Sequence, residues 1–463
     1  MEDEYHVKFN LMTTQPVQKL VCNLAVPTII SMLITSLYNM ADTFFVGRIC
    51  TNATAGVGLI FPIMTVIQAF GFFFGQGSGN FISRSLGAQD LDESKTMAAT
   101  GFFCSLLFGG LILAFGLLFE DGVLHLLGAT TARVSADTVG YARDYLTLIL
   151  IGAPFMCASC VLNNQLRFQG NAVFSMIGLV TGAVLNCGLD PLFIFGFHMA
   201  TKGAASATII SQFVSFCLLY IGTLKSDSLK IHIRNFKLNF YYLKEIFIGG
   251  APSLFRQGLA SIATLCLNSA AGNAVGPELS DAAIAAFSVV SKIMMFAFSA
   301  LLGFGQGFQP VCGYNYGAQK YDRVRNAYTF CLRIGTAFLL VMSVLGFLFA
   351  GNIVSLFRDD PDVIHIGTIA MRCQCCTFTL MALVTCTNML YQNIGRVAGA
   401  TLLAVARQGL TFIPVVLILP RLFHTALWGV YLAQPIADVF AFSLAVPLAI
   451  NIYRELKRCE RES

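Results

Sequence analysis

The chain has 463 residues, of which 56% are hydrophobic and 11% charged, with a formal net charge of +5 at pH 7. Soluble domains carry about 25% charged residues, so a water-soluble globule is excluded. Apolar runs of about 20 residues, each long enough to cross a bilayer as a helix, recur from end to end. Such continuous runs are not the short alternating segments of a transmembrane β-barrel. No basic stripe interleaved with aromatics is present, so the expected partner is the lipid bilayer and not nucleic acid.

The N-terminal stretch MEDEYHVKFN is acidic and polar and does not read as a cleavable signal peptide. Hydropathy then divides the chain into twelve predicted spans. In the first half they cover roughly 20–46, 55–82, 95–118, 138–162, 171–196 and 203–223; in the second, roughly 246–271, 281–307, 325–349, 366–391, 397–420 and 426–453. The expected class is an all-α polytopic membrane protein with an N-lobe (1–224), a basic linker (225–245), a C-lobe (246–453) and a short tail (454–463). The linker carries Lys225, Lys230, Arg234, Lys237 and Lys244, and positive loops stay in the cytoplasm. With twelve spans both termini fall on that side, where Arg84, Lys95, Arg167, Lys320, Arg323, Arg325, Arg396 and the tail cations also belong. The opposite side takes Arg48, Arg133, Arg143, Lys202, Arg358 and Arg421.

An internal repeat cuts the chain in two. GFFFGQGSGNFISRSLGAQD (71–90) aligns without a gap on LLGFGQGFQPVCGYNYGAQK (301–320), and Pro27-Thr28 answers Pro252-Ser253 in the first span of each half. Two six-helix units entering from the same side are related by an axis along the membrane normal, a recurrent plan of secondary transporters.

Within the apolar runs a few residues could carry chemistry. Asp42, in SLYNMADTFFVGR, is the only acidic residue between Glu4 and Asp90, and a charge at membrane depth is a functional-site hypothesis by default. The competing reading is that it sits at the outer end of its helix and faces water. Asp190, in LNCGLDPLFIFG, is the second buried acid; Asn186 lies one turn earlier on the same face. Pro191 frees a backbone carbonyl there, and Thr208 in the next span adds an oxygen. Carboxylates, an amide and a hydroxyl make a hard-oxygen set suited to H⁺ or Na⁺. Two carboxylates brought together in low dielectric cannot both ionise cheaply, so the pair is expected to titrate as a unit. Tyr38, one turn before Asp42, shares its face. The second half has no such acid in its first span, where Arg256 and Gln257 stand instead; Asp438 is expected to form a structural ion pair with Arg407, Lys292 or Arg256. Asn163, Asn164 and Gln165 either line the cavity or turn the chain.

The fifteen cysteines lie mostly in apolar segments and read as free thiols. There is no phosphate-binding Gly-Lys-Ser/Thr loop and no Ser/His/Asp set at membrane depth, so neither ATP-driven chemistry nor an enzyme is expected, and no cofactor beyond the coupling ion.

The stretches LYNMADTFFVGR, the twin GQG segments, NNQLRFQGN, LNCGLDPLFIFG and WGVYLAQPIAD resemble the multidrug and toxic compound extrusion (MATE) family over essentially the whole chain, closest to its bacterial DinF- and MepA-like branch. The resemblance implies two lobes forming a V around a central cleft. It implies that Asp42, Asn186, Asp190 and Thr208 form the cation-coupling cluster, with Na⁺ a candidate ligand. Tyr38 and Asn163 would line the N-lobe cavity; Arg256 and Gln257, standing where another branch carries an acid, are the further candidates for the substrate cavity. Pro27 matches the proline at which the first helix is proposed to bend. The function expected is a monomeric multidrug antiporter of a bacterial inner (plasma) membrane, exporting amphipathic, often cationic, small organic compounds in exchange for H⁺ or Na⁺. A flippase for a lipid-linked oligosaccharide or cell-wall precursor is the alternative, kept open by Arg256, Lys292 and Arg407.

Overall fold

The computed structural model of the chain describes residues 2–129, 134–225, 229–275, 277–422 and 426–462, and the elements among them are all helical. After a short α1 (Glu2–Thr14), the first repeat contains α2 (Val17–Gly47), α3 (Thr51–Gly87), α4 (Leu91–Leu118), the two-turn α5 (Glu120–Leu126), α6 (Ala136–Phe168), α7 (Ala172–Pro191) and α8 (Ala200–Lys225). The second contains α9 (Phe240–Asn273), α10 (Pro277–Gly317), α11 (Tyr321–Leu348), the short α12 (Ala350–Ser355), α13 (Pro361–Phe378), α14 (Met381–Asn393), α15 (Val397–Val405), α16 (Ile413–Ile418) and α17 (Ala426–Glu462). Ten stretches among the described residues are long and apolar enough to cross a bilayer, eight of them single helices and two, Ala172–Gly196 and Val397–Arg421, running through a π-helical turn; α13 with α14, bent by 54°, form an eleventh span. The twelfth is α9, a 34-residue helix whose apolar signal is diluted by Arg256, Gln257 and small polar residues. The outer-side charge Arg133 lies outside the described residues.

The repeat is visible in the backbone. In each half the second helix ends in a Gly-Ala-Gln turn whose glutamine adopts a left-handed conformation, Gln89 at φ 64° and Gln319 at φ 58°. The next helix starts at once, with Asp90 accepting from the backbone of Glu93 at 3.0 Å as an N-cap in the first copy. The fifth helix of each half is also interrupted by a π-helical turn, over Leu192–Gly196 and Ala406–Phe412. Proline adjoins both turns, Pro191 and Pro414, and a missing N–H there leaves a carbonyl without its helical partner.

The GQG segments explain how the halves meet. A side chain at Gly77 would fall on the Ile246 carbonyl of α9, and a Cβ at Gly307 would lie 2.5 Å from Cα of Ala25 on α2. Only glycine permits backbones to approach so closely. Next to this contact Thr28 donates to the Gly303 carbonyl across the interface at 2.6 Å. The neighbouring Pro27 is buried, and α2 runs through it as one unbroken helix.

Three apolar cores follow from this packing. One is shared by both halves and runs from Tyr5 and Leu86 to Tyr314 and Leu456, at the end of the molecule that carries the basic loops. The other two belong to one half each, Val46 to Ala205 in the first and Ala263 to Ala445 in the second, and they lie at the opposite end. The lobes are therefore joined at the basic end and separately cored at the other.

Two segments that hydropathy leaves undescribed close the joined end. Helix α1 ties both halves: Tyr5 donates to the Leu86 carbonyl at 2.6 Å, and Asn315 donates to that of Met12 at 3.1 Å. Arg323 reaches the Gln15 carbonyl at 2.6 Å. The connector buries Leu229 and Ile231 and sets Phe236 on Phe103. The basic tail continues α17 as helix, with Arg325 and Glu460 paired at 2.6 Å.

Candidate functional site

Three helices of the first lobe converge on one polar cluster. Helix α2 supplies Tyr38 and Asp42, α7 supplies Asn186 and Asp190, and α8 supplies Thr208. Asp190 is fully buried, and Asn186 and Thr208 are each 1% exposed. With the Asn186 amide oriented so that both its ends are satisfied, it donates to Asp190 Oδ2 at 2.9 Å and accepts from the Thr208 backbone at 3.2 Å. The Asp42 carboxyl lies against that of Asp190 within hydrogen-bonding reach, and the Tyr38 hydroxyl faces both acids and Thr208. Asp42 thus sits near the outer end of its helix, yet its carboxyl turns inward, and its Oδ1 is buried with no partner.

Among the described residues neither carboxylate is in an ion pair; the acids have each other instead. Two ionised carboxylates in contact without a counter-charge repel strongly in a low-dielectric setting. The cluster is consequently built to hold a positive particle: one proton shared between the acids, or a monovalent cation among carboxylate, amide and hydroxyl oxygens. Tyr145 of α6, fully buried and close enough to feel both charges, joins this cluster. Its hydroxyl is aimed at the Met64 sulfur at 3.4 Å. Nothing in its sequence neighbourhood singles it out, because it arrives from a different helix.

The second lobe is organised differently. Asp438 accepts from Arg407 Nε at 2.7 Å, from Gln434 at 2.8 Å and from Thr377 at 3.2 Å. Lys292, expected as another partner, is exposed on α10 and makes no ion pair with Asp438; its position on that helix turns it away from a carboxylate on α17. The pair lines a partly open cavity of about 320 Å³ between α9, α10, α13, α14, α15, the π-helical turn and α17. Arg256 and Gln257 line the same cavity.

Asn163 does not face a cavity. It is 6% exposed, and its amide donates to the Ser175 carbonyl at 3.0 Å and hydroxyl at 2.7 Å, which clips α6 to α7. The second repeat copies the clip, with Asn388 donating to the Ala400 carbonyl at 2.6 Å. Asn164 and Gln165 likewise stay helical and bond inward. Arg167 is not a loop cation: it is 1% exposed and donates to Asn164 at 2.7 Å and Gln309 at 3.5 Å. Gln76 donates to Asn164 at 3.1 Å, Gln309 donates to Gln76 at 3.3 Å, and Asn393 donates to the Gln309 carbonyl at 2.7 Å. This amide network crosses between the lobes.

Two pseudo-repeated six-helix lobes, joined at one end and separately cored at the other, and an acid pair with no cationic partner among the described residues make this a membrane protein with the plan of a secondary transporter. The MatE family model matches residues 27–192 and again 252–418, once in each half, and the chain belongs to the MatE family. It is 28% identical over 436 residues to a Staphylococcus haemolyticus protein named multidrug export protein MepA, covering 93% of each chain. A Staphylococcus aureus protein of the same name is 27% identical over 459 residues, covering 98% of this chain and 97% of its own. Among solved structures, the outward-facing conformation of a multidrug resistance MATE family transporter of the MOP superfamily superimposes with a TM-score of 0.90 at 26% identity, covering 97% of this chain and 98% of that one.

Proposed function

We propose that the protein is a secondary active antiporter that exports amphipathic organic compounds, many of them cationic, in exchange for H⁺ or Na⁺. The observation that carries this reading is the Asp42–Asp190 contact with no cationic partner among the described residues. A coupling ion must bind the two access states differently, or it shifts nothing. Asp42 and Asn186–Asp190 lie on separate helices, so a bound proton or cation favours helices drawn together, and its release favours helices apart. The export named in the MepA proteins supports the direction of transport. Both termini would lie in the cytoplasm of a bacterial cell whose inner membrane holds the protein as a monomer, consistent with the basic residues gathered at the joined end. A lipid pyrophosphate flippase finds less support, because Arg407 is neutralised by Asp438 and Lys292 is outside the cavity lining.

The test is efflux of ethidium from proteoliposomes carrying the wild-type chain or Asp42→Asn. Wild type should transport when an ion gradient is imposed. Asp42→Asn should be folded and inserted yet inactive; wild-type flux through it would defeat the coupling role.

A further inference from the structure

The C-lobe cavity has an uncompensated positive charge. Its charged lining residues are Arg256, Arg407 and Asp438, and the last two neutralise each other at 2.7 Å. Arg256 makes no hydrogen bond or ion pair with any described residue, although its guanidinium has five donors to satisfy. Close enough for the two charges to interact stands Arg167, buried and, among the described residues, hydrogen-bonded to the amide oxygens of Asn164 and Gln309 and paired with no carboxylate. Two neighbouring guanidiniums without a carboxylate create a positive field at this end of the cavity. The remaining walls are soft and apolar, with Met294, Met295, Phe298, Phe378 and Met381 among them. Such residues adapt to varied hydrocarbon shapes.

We propose that this cavity binds an amphipathic organic anion, its carboxylate paired to the Arg256 guanidinium and its apolar body against the methionine and phenylalanine walls. A planar carboxylate matches the guanidinium fork, and a charge-assisted pair is strongest where water is scarce. One free guanidinium lining the cavity suits a monoanion better than a pyrophosphate. The N-lobe acids and the C-lobe arginine then divide the work, the first taking the coupling cation and the second the anionic or zwitterionic members of a mixed amphipathic cargo. The assignment of cargo rests on the efflux reading; the binding does not.

Three dansyl probes separate charge from shape: dansylglycine (anionic), dansylamide (neutral) and dansylcadaverine (cationic). Each is titrated by fluorescence into the full chain in phosphatidylcholine nanodiscs. Wild type should bind dansylglycine about tenfold or more tighter than dansylamide, with dansylcadaverine weakest. Arg256→Gln should erase the preference while leaving dansylamide binding within about twofold, which also reports that the cavity is intact. Arg256→Lys should keep part of the preference. Equal binding of the three probes by wild type, or an undiminished preference in Arg256→Gln, would overturn the proposal. Ethidium efflux by the same preparation reads the transport reading separately: anion preference without efflux defeats transport and leaves the site, and efflux without preference defeats the site alone.

Discussion

Removing one member of the Arg407–Asp438 pair should be far more harmful than removing both. The Asp438 side chain is 2% exposed and that of Arg407 is 23% exposed. Breaking a buried pair costs about 3–5 kcal/mol, because the survivor is left charged and uncompensated. For Asp438→Leu the orphan is Arg407, which water reaches in part, so the expected loss lies near the lower figure, about 3 kcal/mol. Gln434 and Thr377 also lose their acceptor. For Arg407→Met the orphan is the carboxylate, more deeply buried but still bonded by Gln434 and Thr377, and a loss of similar size follows. The double variant, with two apolar side chains of comparable volume, should lie within about 1 kcal/mol of wild type or above it. Graded SDS unfolding in mixed micelles reads these differences through the protein's single tryptophan, Trp428, on the same helix as Asp438. If the double variant lost as much as the two singles together, the two charges would not be partners, and the argument that Arg256 is the one uncompensated charge in the cavity lining would fall with them.

Replacing Gly307 by leucine should drive a side chain into the α2 backbone at Ala25, where no flexible side chain can yield; overpacking of this kind costs about 1–3 kcal/mol. Leucine at Gly58, with open space around it, should be nearly silent in the same unfolding assay, and equal effects at both positions would refute the close-approach account. Gln309→Ala removes the amide that bridges Gln76 and Arg167 between the lobes. In a variant retaining Cys312 as its only cysteine, buried at the joined end, it should raise the rate of labelling by a permeant maleimide several-fold. An unchanged rate would mean that the amide network does not shield that end.

Most of the architecture was legible because membrane spans announce themselves locally. Predicted 20–46, 203–223 and 397–420 become Val17–Gly47, Ala200–Lys225 and Val397–Arg421, and the GQG repeat marks the interface glycines in both halves. Polar residues at span ends were harder. Arg167 and Asn163 look like loop chemistry because hydropathy sees only their neighbours. The residues that absorb them, Gln309 and Ser175, come from other helices. Asp438 had three candidate partners in the sequence, and only the relative rotation of α10, α17 and the π-helical turn selects Arg407 over Lys292. The same limit hid Tyr145 and the docking of α1, whose anchors are tertiary hydrogen bonds from a polar segment with no apolar period to betray it. Asp42 and Asp190 were visible for the opposite reason: a carboxylate in an apolar run is conspicuous by its cost.

The central claim is that the Asp42–Asp190 pair couples an ion to transport. It is met most directly by ethidium flux in proteoliposomes with a proton gradient and a sodium gradient imposed separately, for wild type, Asp42→Asn and Asp190→Asn. The account predicts that at least one gradient drives wild-type flux and that neither drives either variant. Gradient-driven flux at the wild-type rate through either variant would contradict it.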